Sequence, residues 1–133
     1  MAGIDTKGIV ADFDLDKSGD VMVMRISGLL AHSDCGVFRV MLDKATRETS
    51  PAALIVDLGG LEFICSTGMS LLVQYQRALA DEGRRMVTTG LSGAVQETIE
   101  ICGVDKLLDR SGTVDVAIGQ LDKSLPVDLT RRA

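Results

Sequence analysis

Apolar and polar positions alternate from Ile9 to Leu15, with Ile9, Ala11, Phe13 and Leu15 set against Val10, Asp12, Asp14 and Asp16. A period of two is that of a strand with one face in water. Asp16 to Asp20 has the composition of a turn and Val21 to Ile26 reads as a second strand, so a hairpin is the simplest connection. Ser27-Gly28 then opens a loop through Leu29, Leu30, Ala31 and His32. Ser33 or Asp34 can cap a helix with Val37, Val40, Met41 and Ala45 inward and Arg39, Asp43, Lys44 and Arg47 outward. Pro51 ends it, because the residue before a proline is disfavoured in helical geometry.

The stretch Ala53 to Gly83 organises the rest. Ala53 to Leu58 is a short apolar run rich in branched residues, the mark of a strand buried on both faces. After Gly59-Gly60 the chain is apolar again at Leu61, Phe63 and Ile64, and then meets Cys65-Ser66-Thr67-Gly68. A helix follows, with Leu71, Leu72, Tyr75, Ala78 and Leu79 at helical spacing and Gly83 as a left-handed C-terminal cap. A hydroxyl pair therefore sits where a buried strand hands over to a helix.

Met86 to Thr89 predicts another strand, ended by Gly90. Ser92 can cap a helix carrying Val95, Thr98, Ile99 and Cys102 inward, with Gly103 as its stop. Val104 to Leu108 predicts a last short strand, and Ser111-Gly112-Thr113 starts a final helix with Val114, Val116, Ala117, Ile118 and Leu121. Strands alternating with helical segments imply an α/β fold with a small, mixed, mainly parallel sheet and helices packed against it. The expected organisation is a lead-in over 1–8, one domain over 9–122 and a frayed tail over 123–133.

A chain of 133 residues with 46% hydrophobic and 25% charged residues fits one globular domain. Aromatic content of 3% leaves the core to aliphatic side chains and methionine. A net charge of −5 argues against nucleic-acid binding, which needs clustered Lys and Arg. No run is long and apolar enough for membrane insertion, and the first residues carry acids in place of an apolar signal core. Cys35, Cys65 and Cys102 are odd in number and widely spaced, which argues against a disulfide framework or a zinc site and fits a reducing cytoplasm. Cys35 and Cys102 read as small buried hydrophobes.

As an enzyme the chain is poorly equipped. His32 is the one histidine, so any triad would have to use it. The glycines form neither a dinucleotide fingerprint nor a phosphate-cradling loop, and no cofactor is expected. Asp12, Asp14, Asp16 and Asp20 lack the glycine and terminal Glu of a calcium loop and read as a solvated strand and turn. Cys65 at a helix start has a position that can make a thiol reactive, but no neighbouring histidine or cysteine in sequence supports redox chemistry. Ser66 or Thr67 suits a helix N-cap. A phosphate there would also meet the unpaired N–H groups and positive end of the helix.

Phe63-Ile64-Cys65-Ser66-Thr67-Gly68-Met69 resembles the signature of the STAS domain family, in particular bacterial anti-sigma factor antagonists. In these an aromatic–apolar pair precedes Asp-Ser-Ser/Thr-Gly-Leu at a helix start. The resemblance spans most of the chain, from the hairpin near Ile9 to the last helix near Leu121, and includes Gly28 and the segment Gly90 to Val95. It implies a non-enzymatic regulator of transcription, phosphorylated at Ser66 or, as second choice, at Thr67. The implied partners are an anti-sigma factor serine kinase with an Hsp90-like ATPase fold and a protein phosphatase. The implied contact surface comprises Cys65, Ser66, Thr67, Gly68 and Met69 together with Leu29, Leu30, Ala31 and His32. Exposed Met69 or Leu29-Leu30 is also compatible with a homodimer. Two positions depart from the family pattern: Cys65 stands where it has an acid before the serine, and Ala31 where its Gly-Glu-Leu-Asp loop has one, with Asp34 as a nearby substitute. The same fold also serves as a non-phosphorylated accessory subunit docked to a transporter or lipid-trafficking ATPase complex, the second reading.

Overall fold

The structure, a computed structural model, describes residues 11–47 and 51–124. The alternating acids of the first strand leave one face in water: β1 (Ala11–Ser18) pairs antiparallel with β2 (Val21–Leu30) through a turn at Gly19-Asp20. Both strands exceed the sequence expectation. The turn is tighter than Asp16 to Asp20, and β2 runs through the segment expected to be a loop, out to Leu30. The reason lies in β3 (Ala53–Ile64), which does not stop at Gly59-Gly60. Its second half offers pairing partners to the end of β2, with Gly28 opposite Leu61 and Leu30 opposite Ile64 across two register shifts. A paired backbone overrides the weak strand preference of Ser27-Gly28.

The sheet order is β1-β2-β3-β4-β5, where β4 is Arg85–Thr89 and β5 is Arg110–Ser111; every pair after the hairpin is parallel. The expected strand at Val104 to Leu108 is instead a 3₁₀ segment, Val104–Leu107, and the strand pairing falls two residues later. The helices are α1 (Cys35–Arg47), α2 (Ser66–Asp81), α3 (Gly93–Ile101) and α4 (Val114–Ser124). Thr113 caps α4 by accepting from the Val116 N–H at 3.2 Å. At the other end of α2, the Arg84 N–H donates to the Leu79 carbonyl at 2.8 Å, with Gly83 at φ 74° as the sequence predicts. Residues 1–10, 48–50 and 125–133 lie outside the described residues, and with them the expected lead-in, the start of the first strand at Ile9 and most of the tail.

The core has two layers around the sheet. Met22, Met24, Ile26, Leu54 and Val56 face α1, α2 and α3, whereas Val21, Val23, Ala53, Ile55 and Val87 face Ala117 and Leu121 of α4. This explains the unbroken apolar runs in β2 and β3, which are covered on both sides. Two helix faces differ from expectation. In α1 the buried positions are Cys35, Phe38, Leu42, Ala45 and Thr46, while Val40 is 62% exposed. In α3, Val95 and Ile99 are buried but Cys102, just past its end, is exposed. In α2, Leu71, Leu72 and Leu79 face the core, Tyr75 is half-buried and donates to Asp43 of α1, and Ala78 is exposed.

Candidate functional site at the start of helix α2

Leu30 and Ile64 end their parallel strands side by side, and from there the chain leaves in two directions. After Leu30 it forms a 3₁₀ turn at His32–Asp34 and then α1; after Ile64 it passes through Cys65 into α2. The two exits are tied together by the Cys65 N–H, which donates to the Leu30 carbonyl at 3.0 Å. The carboxyl end of a parallel sheet is where α/β folds commonly place their binding sites.

The N-cap of α2 is Cys65, with extended backbone at φ −85° and ψ 169°, rather than Ser66 or Thr67. Its Sγ accepts from the Gly68 N–H at 3.4 Å, the bond an oxygen would otherwise take. Ser66 is therefore the first residue of the helix. Its side chain is exposed, and no hydrogen bond engages it among the described residues. Thr67 is half-buried, with Oγ1 3.3 Å from Nδ1 of the exposed His32. The histidine thus contacts a helix-start hydroxyl, and among the described residues no carboxylate pairs with it.

Burial divides the remaining residues of the expected contact surface. Leu30, Gly68 and Met69 are buried, so the expected exposed patch at Met69 and Leu30 does not form; Leu29, at 41%, is exposed and Ala31 is half-buried. Met69 turns inward with Leu72, which lies three residues further along the same helix face. Asp34 is fully buried and its Oδ2 accepts from the Ala31 N–H at 3.0 Å, locking the 3₁₀ turn. It does not stand in as a surface acid for Ala31. Gly68 is closely packed: a Cβ there would lie 3.0 Å from Leu30 Cδ2 and 3.1 Å from Ile64 Cγ1.

Two features were missed from sequence. A groove of about 390 Å³ runs beside Ser66, with Met69, Val73, Val104 and Leu107 along it and Cys102 at its edge. The nearby side chains of Ile101 (80%) and Leu107 (47%) are exposed, extending an apolar surface next to the hydroxyl. The signal was Ile101, an apolar residue that does not fit the inner face of α3. The second feature is a thiol contact: Cys35 Sγ and Cys65 Sγ are 3.5 Å apart. The absence of a second cysteine nearby in sequence was misleading, because α1 and α2 begin next to each other. Burial, then the hydrogen bond to Cys65, pushes the Cys35 thiol up to about 12. Among the described residues no cluster suited to a metal ion occurs, and no helix is long and apolar enough to cross a membrane.

The model of one protein family, described as "Mlab, STAS domain", matches residues 13–109. An anti-sigma F factor antagonist of Paenibacillus polymyxa is 20% identical over 95 residues, covering 71% of this chain and 81% of the relative. The crystal structure of an anti-sigma factor antagonist from Mycobacterium paratuberculosis superimposes with a TM-score of 0.76 at 22% identity, covering 84% of this chain and 94% of that one. The unphosphorylated form of the anti-sigma factor antagonist SpoIIAA gives 0.72 at 21%, covering 86% and 99%. At these identities the structural likenesses establish the fold.

Proposed function

The chain belongs to the STAS domain family, and from that premise we propose that it is an anti-sigma factor antagonist that works by phosphorylation-controlled partner switching. Unphosphorylated, it binds an anti-sigma factor serine kinase through the start of α2, the neighbouring groove and the exposed Leu29. Phosphorylation of Ser66 ends that contact, and a protein phosphatase restores it. The domain catalyses nothing itself.

The observation that carries this reading is the Ser66 hydroxyl, exposed and unengaged at the first position of α2 while Cys65 does the capping. Modification there costs the helix no cap. A phosphate adds about −1.5 to −2 charges, which the helix N-terminus tolerates and a close apolar contact does not. Thr67 is the lesser candidate because its oxygen already meets His32.

The test is intact mass with site mapping on protein from its own cells, at rest and under stress. A phosphate-sized increment on Ser66 that changes with stress and disappears in Ser66→Ala is the expected result. Unmodified protein under every condition, copurifying with a membrane transport ATPase, would replace this reading with that of a constitutive docking subunit. Phosphate on Thr67 alone would keep the switch and move its site.

A further inference from the structure

The contact between Cys35 and Cys65 joins the first residue of α1 to the N-cap of α2. A disulfide needs its sulfurs about 2.0 Å apart. From 3.5 Å the remaining approach is therefore about 1.5 Å. Each sulfur is also held by a local backbone partner. Cys35 donates to the Ala31 carbonyl at 3.5 Å, and Cys65 accepts from the Gly68 N–H at 3.4 Å. Their exposure is unequal, since Cys35 is buried while Cys65 is partly open to solvent. Cys102 is exposed and stands outside this contact.

We propose that Cys35 and Cys65 form an oxidation site at which a hydroperoxide closes an intramolecular disulfide across the starts of α1 and α2. Cys65 is the sulfur an oxidant meets first. It loses its proton and attacks the peroxide O–O bond; an S–O bond forms, and the departing hydroxide takes the proton to leave as water. The Gly68 N–H faces the sulfur as that charge develops. The Cys35 thiol then attacks the sulfenic sulfur. The S–S bond forms, the S–O bond breaks, and the oxygen leaves as a second water carrying the Cys35 proton. Two thiols are oxidised by two electrons and one hydrogen peroxide is reduced to two waters. A dithiol reductant reverses the step by exchange and becomes a disulfide itself.

Burial raises the Cys35 thiol, so it is not the sulfur that reacts first with the oxidant. The bond would fix the residue immediately before Ser66, so oxidation and modification of Ser66 would act on one helix end. The oxidation site itself stands whether or not Ser66 is phosphorylated.

The full chain, reduced and freed of reductant, is treated with a small excess of hydrogen peroxide near neutral pH, as wild type and as Cys102→Ser. The expected product is monomeric, lighter by two hydrogens, with a Cys35–Cys65 cross-linked peptide that disappears on reduction. In Cys102→Ser no free thiol remains, and the thermal midpoint is above that of the reduced form. Oxygen adducts on Cys65 with Cys35 still free, or cross-links only between molecules through Cys102, would overturn the proposal. Cys35→Ser is expected to halt at the sulfenic acid on Cys65, trapped by a dimedone-type reagent. The wild-type peptide map decides the question even where that variant folds poorly.

Discussion

Gly68 lies against Leu30 so closely that a methyl group on its Cα would sit 3.0 Å from Leu30 Cδ2. Both Leu30 and the other neighbour, Ile64, are buried to within 2% exposure, and each would have to give by a few tenths of an ångström. The glycine of the Ser-Thr-Gly motif thus lets α2 start directly on the ends of β2 and β3. Gly68→Val is expected to lose about 1–3 kcal/mol through overpacking. Gly68→Ala should sit nearer balance, because alanine regains up to about 1 kcal/mol of helix propensity. Urea unfolding of both variants checks this; a neutral Gly68→Val would show that the helix start can slide.

The α1 face shows where sequence reading worked and where it failed. Ala45 was correctly placed inward, but Val40 was preferred over Phe38. Val40 is 62% exposed, whereas Phe38 is fully buried and stacks on Phe13 of β1 with ring centroids 5.9 Å apart. Ser33 and Asp34, expected as caps, form a 3₁₀ turn ahead of the helix, which begins at Cys35. Phe38→Ala is expected to cost about 3–5 kcal/mol. Val40→Lys should stay within about 0.5 kcal/mol. Thermal unfolding that ranks them the other way would refute the observed face.

Local signals made much of the rest legible. Alternation marked β1, the branched run marked the first half of β3, and Gly83 and Thr113 marked helix ends. The handover from strand to helix at the candidate site was legible in Cys65-Ser66-Thr67-Gly68. What depended on distant pairing was hidden: the extension of β2 to Leu30, the two-residue β5, the inward turn of Asp34 and the contact of Cys35 with Cys65. None of these has a periodic signature, since each arises only when two separate segments meet.

Asp57 illustrates such a meeting. Its Oδ1 accepts from Thr89 Oγ1 at 3.1 Å and from the Gly59 N–H at 3.2 Å, and its Oδ2 lies 3.9 Å from Arg25 Nε. One carboxylate therefore links the middle of β2 and of β3 to the last residue of β4. Asp57→Ala strands the buried Thr89 hydroxyl and is expected to cost about 1–3 kcal/mol. Asp57→Asn keeps an accepting oxygen and should cost less. Arg25→Ala removes a long, half-exposed ion pair and should cost under about 1 kcal/mol. Denaturant midpoints of the three variants give the order, and an Arg25→Ala loss equal to that of Asp57→Ala would reassign the linkage to charge.

Cys35 makes stability depend on alkaline pH. Burial, then its hydrogen bond to Cys65, raises the thiol from its ordinary 9.0 to about 12. Between these values the folded state keeps a proton that the unfolded state releases. The contribution is therefore complete below about pH 9 and declines as pH rises towards about 12. Under reducing conditions, the wild type should lose more stability between about pH 8 and about pH 10.5 than Cys35→Ala does. Equal losses would mean that Cys35 is not protected in solution as its buried position requires.

Ser66 permits a separate test of the helix-end field, without any partner present. An acid at the first position of α2 faces unpaired N–H groups and should gain about 0.3–1 kcal/mol at low ionic strength. Ser66→Asp is thus expected to raise the unfolding midpoint slightly, Ser66→Lys to lower it, and Ser66→Ala to leave it within about 0.5 kcal/mol. Because the side chain is exposed, the difference between Asp and Lys should shrink in about 1 M salt, where the screening length falls to about 3 Å. The sign matters for the proposed switch. A negative group that stabilises the domain while weakening kinase binding acts on the contact, and leaves the fold intact for dephosphorylation. If Ser66→Asp lowers stability at low salt, the charge disrupts the helix start itself, and any loss of binding would be a consequence of local unfolding.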